Sequence, residues 1–92
     1  MSQIFSSNEV AEILKGGANH YRVDVLFLLE KHDGMTLEDI AESVRANYKT
    51  IAVHLGRMHK SGLISKKYRG SAVEHRLTPR GVYILKFLRK LE

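Results

Sequence analysis

The chain has no cysteine, no tryptophan and a single proline, Pro79. Without cysteine, disulfide bridges and thiolate metal sites are excluded, as suits a reducing compartment. No apolar run approaches the ~20 residues that span a bilayer. The opening Met1-Ser2-Gln3-Ile4-Phe5-Ser6-Ser7 lacks the basic region and apolar core of a signal peptide. A soluble, cytoplasmic protein is expected. Internal repeats, low-complexity tracts and linkers are also missing. Ninety-two residues, 43% hydrophobic and 27% charged, predict one domain over residues 1–92 with one small core. No motif positions a nucleophile, and neither a phosphate-binding Walker loop nor a dinucleotide glycine signature is present. Gly16-Gly17 reads as a helix stop. The chain is therefore expected to be neither an enzyme nor a cofactor carrier.

Basic residues are scarce in the first half and acidic ones in the second. Residues 1–44 hold three Lys/Arg against eight Asp/Glu, whereas residues 45–80 hold nine Lys/Arg against Glu74 alone. A basic segment on an otherwise acidic molecule gives an oriented field suited to steering a polyanion onto one face.

Local signals predict the element order helix, helix, short extended piece, helix, helix, hairpin, helix. Ser7 is expected to cap the first helix, with Glu9 favourably placed against the dipole and Val10, Ile13 and Leu14 as its apolar stripe. A second helix is predicted from about Ala18 to Lys31, with Tyr21, Val25, Leu28 and Leu29 at helical spacing. His32-Asp33-Gly34 is a turn and Met35-Thr36 a short extended segment. Thr36 caps a third helix whose buried face is Leu37, Ile40, Ala41 and Val44. Asn47 caps a fourth, from Tyr48 to about Ser61, which Gly62 ends. Ile64 to Arg69 and Val73 to Leu77 alternate around Gly70-Ser71, a two-stranded hairpin. Thr78 caps the last helix with Pro79 at its first position.

The third and fourth helices, joined by a tight connection at Arg45-Ala46, have the layout of a helix-turn-helix (about residues 36–62). Ile51, Leu55 and Met58, at i, i+4 and i+7, face the core. The opposite face presents Lys49, Ala52, Val53, Gly56 and Arg57, with Tyr48 and Thr50 at its N-terminal edge. Ala52 and Gly56 are small enough for the helix backbone to approach a groove wall. Tyr48, Lys49, Thr50 and Val53 are candidates for reading base edges: Val53 against a thymine methyl, Lys49 toward guanine O6 or N7. Arg57 and Lys60 suit phosphates. Lys66, Lys67, Arg69 and Arg76 would line the hairpin (about 63–78) and meet the flanking backbone or minor groove. Composition and periodicity alone reach a basic helix-turn-helix followed by a hairpin.

The stretch from about Ala18 to Thr78 resembles winged-helix domains of the ArsR type, with MarR-like proteins as the neighbouring possibility. The matching residues are Arg22 and Leu26-Leu28-Leu29 in the early helix, then Leu37-Glu38-Asp39-Ile40-Ala41. Thr50-Ile51-Ala52-Val53-His54-Leu55, Met58 and Ser61-Gly62-Leu63-Ile64 match the recognition helix, and Arg76-Leu77-Thr78 ends the wing. The resemblance implies a mainly α winged helix-turn-helix with a two- to three-stranded wing. It also implies a dimeric, sequence-specific regulator of transcription that binds double-stranded DNA. Metal-sensing members commonly carry a Cys-rich segment in the first motif helix. Leu37 to Ser43 has neither Cys nor His, so metal sensing there is unsupported. Nor do the five histidines select a metal site, since His54 and His59 lie on different faces of one helix.

The last helix (about 79–91) carries more apolar surface than one small core can cover. Val82, Leu85, Leu88 and Leu91 form its stripe, and with Val10, Ile13 and Leu14 they are the expected interface of a homodimer. Two other readings use the same features: a winged-helix adaptor that binds protein, and a non-specific architectural DNA binder.

Overall fold

The computed structural model describes residues 6–17 and 19–91, without the side chains of Val10, Gly16 and Gly17. Short polar side chains start every helix. Ser6 caps α1 (Ser7–Gly17): its hydroxyl accepts from the Glu9 N–H at 3.2 Å, and its own N–H donates to the Glu9 carboxylate at 3.0 Å. This corrects the expected Ser7. A capping box needs its acid three residues after the cap, and that spacing selects Ser6. Asn19 caps α2 (His20–Lys31), accepting from the Tyr21 N–H at 2.9 Å. Ala18, the expected start of that helix, lies outside the described residues.

After the turn at Gly34 the chain forms β1 (Met35–Thr36) and α3 (Leu37–Ser43), capped by Thr36. Val44, Arg45 and Ala46 make the turn into α4 (Tyr48–Lys60), with Arg45 in the left-handed region at φ 54°. Asn47 caps α4 through the Lys49 N–H at 2.8 Å. Ser61 and Gly62 close it, and Gly62 takes φ 79°, a conformation L-residues rarely adopt.

The hairpin of β2 (Ile64–Arg69) and β3 (Ala72–Leu77) turns on Gly70-Ser71, with Gly70 at φ 62°. The antiparallel sheet is three-stranded in the order β1-β3-β2. Met35 pairs with His75 and Thr36 with Glu74, so β1 ties the middle of β3 to the start of α3. Then α5 (Pro79–Arg89) begins, capped by Thr78 through the Gly81 N–H at 3.0 Å.

The core lies where α2, α3, α4 and α5 meet the sheet. Leu26, Ile40, Ile51, Leu55, Met58, Leu63, Ile64 and Leu85 are its largest fully buried side chains besides Val25. Each contributes about 1.5–3 kcal/mol through burial. At Gly81 the fit has no slack: an added Cβ would lie 2.1 Å from the Leu63 carbonyl oxygen. This winged helix-turn-helix is the fold expected from the sequence.

Candidate nucleic-acid interface

The outward face of α4 follows from its phase. With Ile51, Leu55 and Met58 buried, Lys49, Val53, Gly56 and Arg57 are exposed and Ala52 is half-buried. Tyr48 is 51% exposed and Val53 57% exposed. An added Cβ at Gly56 would meet nothing within 4 Å, so no packing among the described residues accounts for glycine there.

Strand register sorts the hairpin's side chains. Cross-strand partners share a face, so Ile64, Lys66 and Tyr68 stand with Leu77, His75 and Val73 on the side toward the helices. Lys66 and Tyr68 reach beyond the core there. With Tyr48, Ala52, Val73 and His75 they line a cleft of about 300 Å³ between α4 and the hairpin. Tyr68, 76% exposed, was not among the sequence candidates. Its signal was present, since the alternation from Ile64 puts it on the same side as Lys66.

The opposite face of the hairpin is different in kind. Lys67 and Arg69 stand there with Arg76 and Glu74. Glu74 Oε1 lies 3.5 Å from both Arg69 Nε and Arg76 Nη2, and Arg76 also pairs with Asp33 of the turn after α2. Arg76 was expected to line the wing and meet a nucleic-acid backbone. In the fold it is held by two carboxylates and bridges the hairpin's foot to the acidic half of the chain. Arg69 shares Glu74 but keeps most of its side chain exposed, and Lys66 and Lys67 are exposed.

His75 is buried beneath the sheet, 3% exposed, with Nδ1 3.0 Å from the Met35 carbonyl. Burial holds its pKa below the ordinary imidazole value; the Met35 bond acts in the opposite direction. His54 is half-buried on α4, where Nδ1 accepts from Arg22 Nε at 3.0 Å and its ring lies 5.6 Å from that of Tyr21. Burial, followed by the charges of Arg22, Arg57 and His20, lowers its pKa too. Among the described residues no cluster of three or more His, Asp or Glu has metal-binding geometry.

The expected dimer residues divide in two. Ile13 and Leu85 are buried in the subunit's own core, at 3% and 2% exposure, and so are not available to a partner. The reason is helix phase: Gly81, Leu85 and Leu88, at i, i+4 and i+7, form the face of α5 turned inward, with Arg89 pairing with Glu30 of α2. Leu88 is half-buried against that core. Leu14, Val82 and Leu91 are exposed, as are Tyr83 and Phe87. The Val10 side chain lies outside the described residues. No helix of the described residues is long and apolar enough to cross a membrane.

Residues 20–87 match the family model described as Sulfolobus plasmid regulatory protein. The chain belongs to that family. No curated protein matches it. Among solved structures, this member of the family is similar to HlyU from Vibrio cholerae, with 18% identity, 97% of each chain covered and a TM-score of 0.83. It is also similar to the homodimeric winged helix-turn-helix DNA-binding domain of Mb0332 from Mycobacterium bovis, a possible ArsR-family transcriptional regulator. There identity is 24%, coverage 99% of this chain and 88% of that one, and the TM-score 0.78. The transcriptional repressor PagR of Bacillus anthracis gives 23% identity, 88% and 93% coverage and a TM-score of 0.79. These likenesses show the winged-helix fold.

Proposed function

We propose that this Sulfolobus plasmid regulatory protein family member is a transcriptional regulator that binds duplex DNA sequence-specifically as a homodimer, acting by binding and not by catalysis. The observation that carries the reading is the exposed N-terminal half of α4 beside a hairpin whose Lys66 and Tyr68 face the same cleft. In this reading Tyr48, Lys49, Thr50 and Val53 read base edges in the major groove, and Lys66, Lys67 and Arg69 meet the flanking backbone. The exposed apolar surface of Leu14, Val82, Tyr83, Phe87 and Leu91 supports pairing with a second copy, as does the homodimeric state of the Mb0332 domain. Two copies would set their recognition helices about 34 Å apart, one DNA turn.

Selection of bound sequences from random duplexes tests the whole reading. A near-palindrome with half-site centres about ten base pairs apart is expected. Equal retention of all sequences would leave only non-specific binding, and no binding at low salt would sink the proposal.

A further inference from the structure

The exposed stripe of α4 continues past Val53 to Arg57 and Lys60, at i+4 and i+7 from it. There α4 meets α1 and the start of α2, leaving a notch of about 440 Å³ lined by Glu12, Lys15, Arg22, Arg57, Lys60 and Ser61. Four of these are cations and one is a carboxylate. Among the described residues none of the four forms an ion pair, whereas Arg69, Arg76, Arg80 and Arg89 all do. Other basic residues, Lys49, Lys66 and Lys67 among them, also form none, so what sets the notch apart is that four such cations line one depression.

Arg22 is also fixed in place. Its Nε donates to His54 Nδ1 and its Nη1 to the Lys15 carbonyl. Both acceptors are neutral, so they orient the guanidinium without offsetting its charge. Burial and then the nearby Arg57 cation disfavour the charged form of Arg22, yet a guanidinium stays protonated. An anion set between the two guanidiniums would relieve that repulsion and complete their hydrogen bonding.

Helix rise places the notch relative to the bases. From Lys49 to Arg57 α4 advances about 12 Å at ~1.5 Å per residue, close to the width of the major groove at about 12 Å. With Tyr48 to Val53 over base edges, Arg57 comes to the groove's border, where the sugar-phosphate strand runs.

We propose that Arg22, Arg57, Lys15 and Lys60 form a seat for one phosphodiester of the DNA strand bordering the groove that α4 enters. This rests on the DNA-binding reading and adds α1 and α2 to the interface. A free phosphorylated small molecule offers the same chemistry, so the test separates the two sources.

Binding of the full chain to its selected duplex is titrated across a range of salt concentrations. Arg57→Gln and Arg22→Gln should each weaken binding to all sequences alike, by roughly tenfold, and lower the salt slope by about 1. Lys31→Gln, at the far end of α2, serves as charge control and should keep the wild-type slope. A neutral methylphosphonate at the bordering position should weaken wild type but add nothing in Arg57→Gln. Arg57 is exposed and holds no element together, so its variant stays informative if Arg22→Gln fails to fold. Unchanged slopes in variants whose wild type binds DNA with sequence preference would overturn the seat and leave the DNA-binding reading intact. If wild type binds no duplex, both fall. Thermal stabilisation of wild type but not Arg57→Gln by inorganic phosphate, with duplex slopes unchanged, would overturn the duplex assignment in favour of a free anion.

Discussion

Helices α4 and α5 are of similar length, 13 and 11 residues, and each buries one stripe in the same core, yet their outer faces differ in apolar content, with Lys86 and Arg89 the exposed cations of α5. Outside, α4 offers Lys49, Val53, Gly56 and Arg57; α5 offers Val82, Tyr83 and Phe87. Their glycines invert in the same way. Gly81 of α5 points into the molecule against the Leu63 carbonyl, and Gly56 of α4 points into open space. Core packing therefore specifies only half of each helix. In the proposed reading the other half suits a partner, a polyanion for α4 and an apolar protein surface for α5.

The sharpest contrast is between the glycines. Gly81→Ala should cost about 3 kcal/mol, because a backbone carbonyl cannot give way to a methyl at 2.1 Å. Thermal melting should then fall by roughly 4–8 °C for each kcal/mol lost. Next in size, Phe87→Asp should leave folding intact and yield monomers in sedimentation, with duplex affinity lowered roughly 100-fold through loss of the second half-site. A Phe87→Asp protein that remained dimeric would break the contrast on the α5 side. On the α4 side, Lys49→Ala and Val53→Ala should each lose about 1–2 kcal/mol of base discrimination at one position, with folding unchanged. Competition binding against single-base variants of the site measures this.

Gly56→Ala should act in two directions. Melting should show a gain of up to ~1 kcal/mol from helix propensity, and duplex binding should weaken as the added methyl enters the closest approach to the groove. The smallest effect concerns pH. His75 binds its proton more weakly when folded than when unfolded, so the unfolded chain takes up more protons as pH falls below about 6.5. Stability should be flat above that pH and decline below it until His75 protonates in the folded state as well. His54 shifts in the same direction, so His75→Gln should make that decline shallower in denaturant titrations without abolishing it.

Most of the architecture was legible because it is written in local signals. Thr36, Asn47 and Thr78 cap helices through side chains that reach N–H groups two or three residues away, and such spacings can be read along a chain. The inward stripe of α4 was legible for the same reason. What escaped depends on residues far apart in sequence. Arg22 meets His54 across 32 positions and Arg76 meets Asp33 across 43, so neither partnership leaves a local trace. Arg76 consequently read as a free wing cation. Leu85 and Ile13 read as interface residues because a wide apolar surface does not reveal which of its sides the domain keeps for itself.

The pairing of β1 with β3 is only two residues long, but it joins the middle of β3 to the leading end of α3, and the His75–Met35 contact reinforces the join. That join couples the hairpin to α3, which packs on α4. On DNA the molecule would then act as a caliper of set opening, one jaw in the major groove and the other on the backbone beside it. A caliper measures whatever it closes on. Sequences that narrow or widen the duplex between the jaws would be discriminated by the energy of bending them to fit, at base pairs that no side chain touches.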